Sequence, residues 1–181
     1  TMSAAMTDLT TDQPVHPSPT QPAADQRSGR PLTTALILLG LFLAAWLPRT
    51  VGLDVFVTAD ERKWLVRAAN FDVALARGDL YNTYQREHPA VTNTWLGGLG
   101  VITAMPSYPQ VAPGYFNPDI EEMEGWLKSS GGASPLAMLA WARAYTVLAV
   151  ALALTLTFFP LRRLFGTPSA VLIAIFVSWA P

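Results

Sequence analysis

Residues 135–159 read PLAMLAWARAYTVLAVALALTLTFF, an apolar run whose one charge, Arg143, lies near its start. A hydrocarbon core of about 30 Å takes about 20 residues at helical rise, so this run crosses it with some tilt. Inside lipid a backbone must satisfy its own hydrogen bonds, which makes a run of this kind a helix. The fold follows from this segment and two others like it. One occupies 31–48, centred on ALILLGLFLAAW at 35–46; it is slightly short, so its ends should lie at the interfaces, where Trp46 is at home. The other begins at Pro168, and the sequence stops at Pro181 before that run reaches spanning length, as in a fragment. The expected class is α: a helical integral membrane protein.

Composition agrees. The chain is 51% hydrophobic and only 14% charged, against about 25% charged in soluble domains. Nearly all charges fall before Pro31 or between Arg49 and Lys128. A net charge of −1 provides no basic footprint for neutralising phosphates, so nucleic acid is set aside as a partner. Cysteine is absent, which removes disulfides and thiolate metal sites.

Residues 1–30, rich in Pro, Thr, Gln and Ala, lack apolar periodicity and read as a disordered tail; His16 within it has no evident task. No small-residue cleavage site marks a signal peptide. Arg27 and Arg30 precede the first span, and Arg162 and Arg163 occupy the link at 161–167. All four fall on one side, which the positive-inside rule makes cytoplasmic. The N-terminus is then cytoplasmic, the loop at 49–134 extracytosolic, and the protein a multi-pass component of the plasma (inner) membrane.

The loop has elements of its own. Thr58 and Glu61 have capping-box spacing, and Trp64, Ala68, Phe71 and Leu75 repeat at helical spacing up to Gly78, predicting an amphipathic helix. Thr94 to Met105 is apolar but too short to span; it reads as a re-entrant or interfacial element whose Gly97, Gly98 and Gly100 suit close helix packing. After a Pro- and Gly-rich stretch, Asn117-Pro118 predicts a short helix carrying Ile120, Met123 and Leu127, with Glu121, Glu122 and Glu124 on its solvated face.

Three places could carry chemistry. Asp60-Glu61, just after the first span, complement a helix dipole; equally, such carboxylates at a membrane surface could take a proton from a hydroxyl or hold a divalent cation. His88, before Pro89, is either a solvated loop histidine or a donor to phosphate. Arg143 is either a cation that snorkels from an apolar helix or a functional one. Tyr108, Tyr115, Phe116 and Trp126 could stack on a sugar or sit at an interface.

The order of features is more informative than any one of them: a tail, a span, Asp60-Glu61, an amphipathic helix ending near Gly78, His88-Pro89, then Ala142-Arg143-Ala144-Tyr145 entering a second span and Leu161-Arg162-Arg163-Leu164-Phe165-Gly166 after it. From Leu32 to Pro181 this order resembles the polyprenyl-phosphate-dependent GT-C glycosyltransferases, which include protein O-mannosyltransferases and lipid A aminoarabinose transferases. The resemblance implies transfer of a sugar from a polyprenyl-phosphate donor, within membrane lipid, to an acceptor at the outer face. It implies Asp60 as base with Glu61 beside it, and His88 and Arg143 toward the donor phosphate. It calls for no nucleotide cofactor. Ala90 and Val91 stand where the family usually has a second proline and a leucine, and the Pro-rich stretch after Met105 looks like an insertion. Sugar and acceptor are not specified. The rival readings are an extracytosolic binding or sensory protein anchored by its spans, and a transporter.

Overall fold

The computed structural model describes residues 31–55, 58–85 and 91–179. Among them there is no strand, and three helices are long and apolar enough to cross a membrane: 31–50, 135–156 and 158–179. The first is α1 (Pro31–Trp46) continued by a 3-10 turn, Leu47–Thr50, so the helical path reaches past Pro48. Phe42 and Trp46, one turn apart, stack with ring centroids 5.9 Å apart.

Between the first two long helices lie α2 (Ala59–Arg77), α3 (Val91–Ala104), α4 (Tyr108–Val111) and α5 (Ile120–Ser130). The helix α2 starts on the expected capping box: the Thr58 N–H donates to Glu61 Oε2 at 3.2 Å. It ends at Gly78, whose φ of 68° permits the left-handed cap: the Gly78 N–H donates to Leu75 O and the Asp79 N–H to Ala74 O. The burial of α2 is wider than one stripe. Every residue from Leu65 to Phe71 is buried, and so are Val73 and Ala74, whereas Leu75 is exposed. A surface-lying helix would leave one side open; α2 is instead the axis of a packed unit. Its core joins Leu65, Val66, Ala69 and Val73 with Val101, Tyr108, Phe116, Met123, Leu127 and Met138. Ile120, Met123 and Leu127, the apolar face expected of α5, are all buried there.

The three glycines of α3 explain how it fits. A Cβ on Gly97 would lie 2.7 Å from Ala68 Cβ, one on Gly98 would run into the Asp72 carboxylate, and one on Gly100 would lie 2.7 Å from Ala142 Cα. Gly97 and Gly98 of α3 thus meet side chains of α2, and Gly100 meets the backbone of the second long helix, α6 (Pro135–Leu156). Close helix packing is what the glycine-rich stretch does, and α3 is wedged between helices rather than lying apart from them.

Polar residues of α2 hold the Pro-rich stretch. Buried Asn70 donates to Phe116 O at 2.8 Å and accepts from the Phe116 N–H at 2.9 Å, and Arg77 donates to Ala112 O at 2.7 Å. Beyond the helix end, Tyr115 donates to Asp79 at 2.7 Å. Bonds from Asn82 and then Tyr115 hold the Asp79 carboxyl below its usual range.

The helix α6 passes through Thr157 almost without interruption into α7 (Phe158–Trp179). The expected link at 161–167 is helical up to the break at Gly166, where φ is 77° and ψ is 170°, a conformation suited to glycine. Pro160 and Pro168 do not interrupt, because each sits in the first turn of a helical segment, where its missing N–H is not needed. Phe158, Leu41, Ala170 and Ala174 form a second core between α1 and α7. The ends are tied in register: Arg162 reaches Thr34 Oγ1 at 3.5 Å, and at the opposite end Arg49 donates to Ser178 O at 2.6 Å.

Candidate functional site

The turn after α1 decides what Arg143 can do. Gly52, at φ 72°, lets residues 51–54 turn back, so that carbonyls face α6. Arg143 Nη1 donates to Gly52 O (3.2 Å), Leu53 O (2.9 Å) and Val55 O (2.5 Å), and its Nη2 donates to Glu61 Oε1 at 2.5 Å. Both halves of that ion pair are part-buried, with side-chain exposures of 16% for Arg143 and 28% for Glu61, so water screens it less than a fully exposed pair. A snorkelling side chain would point at solvent. This one is a clamp that joins α6, the end of the first span and the start of α2.

Next to the clamp opens a cleft of about 530 Å³, within the usual size of small-molecule sites. Its wall is built by Arg49, Val51, Gly52 and Leu53 after α1, by Glu61, Trp64 and Leu65 of α2, by Asn93 and Gly97 of α3, and by α6 from Leu139 to Val150. Its charged groups are Arg49, Glu61 and Arg143, and Asn93 and Thr146 are further polar residues on the wall. From Arg143, Val147 and Val150 continue the wall along α6 for about 10 Å at helical rise. The shape is that of an amphiphile: a charged end and an apolar trough.

Arg49 adds a second guanidinium. It donates through Nη1 to Ala45 O at 2.8 Å and through Nη2 to Ser178 O at 2.6 Å, holding carbonyls near the ends of α1 and α7. A carbonyl orients an arginine without cancelling its charge. Trp64, also on the wall, carries the Arg67 guanidinium over its ring at 4.7 Å.

Asp60 and Glu61 part company in the structure. Glu61 is turned into the cleft and engaged by Thr58 and Arg143, whereas Asp60 is exposed in the first turn of α2. Among the described residues no group of three or more His, Asp or Glu side chains is placed to hold a metal ion, so Asp60 and Glu61 have no third protein ligand there. His88 lies outside the described residues.

Two groups were not singled out from sequence. Arg49 reads as a loop charge, since nothing near it in sequence shows that it lines the same cleft as Arg143. Asp72, set between buried Phe71 and Val73, was visible as a carboxylate on a helix otherwise given to the core. Its Oδ2 and the Tyr108 hydroxyl are buried with no hydrogen-bond partner among the described residues. Burial pushes Asp72 up to about 7, and burial together with the charge of Asp72 pushes Tyr108 upward as well.

No family model, no curated protein and no solved structure matches this chain.

Proposed function

We propose that this chain belongs to a membrane glycosyltransferase of the GT-C kind, which moves a sugar from a polyprenyl-phosphate donor to an acceptor hydroxyl at the outer face of the membrane. The observation that supports it is the cleft: an apolar trough along α6 whose charged end carries two arginines and lies beside the acidic start of α2. A polyprenyl chain fits the trough, and its phosphate the charged end. The sugar would then lie toward α2, where exposed Asp60 accepts the proton of the acceptor hydroxyl. The acceptor oxygen bonds to the anomeric carbon as the carbon–oxygen bond to phosphate breaks. The lipid phosphate leaves with the electron pair, stabilised by Arg143 and, as the resemblance implies, by His88.

The test is sugar transfer from a lipid-linked donor by the full-length protein in membranes. Asp60→Asn lowers the rate about 10²- to 10⁴-fold, the usual worth of a general base, with donor binding retained. Transfer at the wild-type rate would remove Asp60 from the reaction. One observation favours a second reading, an anchored binding protein without transfer: Glu61 and Arg143 already satisfy each other and stiffen the junction. In that case the protein retains lipid phosphate and turns over none.

A further inference from the structure

The charged end of the cleft does not balance. Arg49 and Arg143 bring two positive charges, and Glu61 is the one carboxylate among the described residues on the wall. Each guanidinium has five N–H donors in a fixed fork. The bonds of Arg49 to Ala45 and Ser178 use one N–H on each terminal nitrogen, and Arg143 gives Glu61 the Nη2 group that its carbonyl contacts leave over. Glu61 therefore sits where a phosphate oxygen would, on the same Nη2 and at charge-assisted distance.

We propose that Glu61 is a resident stand-in for the ligand's anion: an incoming lipid phosphate takes its place on Arg143, and Arg49 supplies the unneutralised charge that draws the phosphate into the cleft. The inference rests on the reading of the cleft as a lipid-phosphate site. When displaced, Glu61 stays on α2 through its capping bond to Thr58, adjacent to Asp60. Until the phosphate arrives, the ion pair keeps Arg143 from binding unrelated anions and keeps the turn at 51–55 fastened.

The experiment is binding of a short-chain polyprenyl monophosphate to the full chain in neutral detergent, with inorganic phosphate and the matching uncharged polyprenol as separate arms. Glu61→Gln is the informative variant, because glutamine also completes a capping box while removing the competing charge. Glu61→Gln tightens lipid-phosphate binding roughly tenfold, and Arg49→Gln weakens it by roughly the same factor. Inorganic phosphate shows the same ordering of variants at much lower affinity, since it lacks the chain that fills the trough. The polyprenol is indifferent to Glu61→Gln. Unchanged or weaker lipid-phosphate binding by Glu61→Gln overturns the proposal, as does polyprenol binding as tightly as the phosphate. Inorganic phosphate binding as tightly as the lipid form would assign the seat to free phosphate and overturn the lipid source. Sugar transfer is scored apart from binding: a response to Glu61→Gln without any transfer keeps the anion seat and sinks the enzyme, and transfer without that response does the reverse.

Discussion

Asp72 offers the most direct test of how the loop region is packed, because its carboxyl is pushed from 3.8 up to about 7 by burial. The sign follows from proton counting. Between those two values the folded chain binds a proton that the unfolded chain has already released, so stability falls as pH rises across that window and is level above it. The shift of about 3 units corresponds to about 4 kcal/mol at 1.36 kcal/mol per unit, an upper bound because Asp72 keeps some solvent contact. Asp72→Asn removes the titration and keeps the shape, including the approach of Gly98. The quantity to measure is the difference in Tm between Asp72→Asn and wild type in detergent, from pH 4 to pH 8. It is near its minimum at pH 4 and grows through pH 7. At 2 to 4 °C per kcal/mol for a chain of this size, even half the bound gives about 4 to 8 °C at pH 8. Taking the difference cancels Asp79 and Glu124, whose lowered values act with the opposite sign in both proteins. A difference that is constant with pH, or that shrinks as pH rises, would refute a buried and unpartnered Asp72.

Gly100→Ala places a Cβ against the backbone of Ala142, which cannot swing aside as a side chain can, and should cost about 3 kcal/mol in thermal or denaturant unfolding. Gly125→Ala, in α5 with open space at its Cβ, is the control and stabilises by about 0.5–1 kcal/mol. Asn70→Ala leaves the Phe116 N–H and C=O buried without their partner at a cost of about 2–3 kcal/mol; hydrogen exchange should rise first at 112–118 and leave α1 unaffected.

What the sequence reveals well is whatever repeats locally. The apolar runs, the Thr58–Glu61 box, the Gly78 cap and the Ile120, Met123, Leu127 face depend on neighbours within a turn or two, and each is where the sequence places it. Pro168, in the first turn after the break at Gly166, stands where the sequence starts its third run. One local signal misleads by its strength. The spacing of Trp64, Ala68, Phe71 and Leu75 suggests one buried stripe, but Leu75 is exposed and the intervening residues are buried, because α3, α4 and α5 surround α2 from directions a single-helix pattern cannot register.

The candidate site depends on distance along the chain rather than on pattern. Arg143 meets Glu61 across 82 positions and Leu53 across 90, and Arg49 meets Ser178 across 129. No periodicity links such pairs, so the sequence leaves Arg143 open to the snorkelling and the functional reading alike and marks nothing at Arg49. The carboxylate pair makes the same point in miniature. In sequence Asp60 and Glu61 are interchangeable neighbours at a helix start. In space a turn of about 100° per residue separates them, and only Glu61 has the capping-box register that also aims it at α6. The residue that fastens the helix is thereby the one that meets the arginine, and Asp60 is left at the surface. The different placement of two adjacent acids therefore follows from helix geometry, and exchanging their order, Asp60→Glu with Glu61→Asp, should impair the clamp even though composition and charge are unchanged.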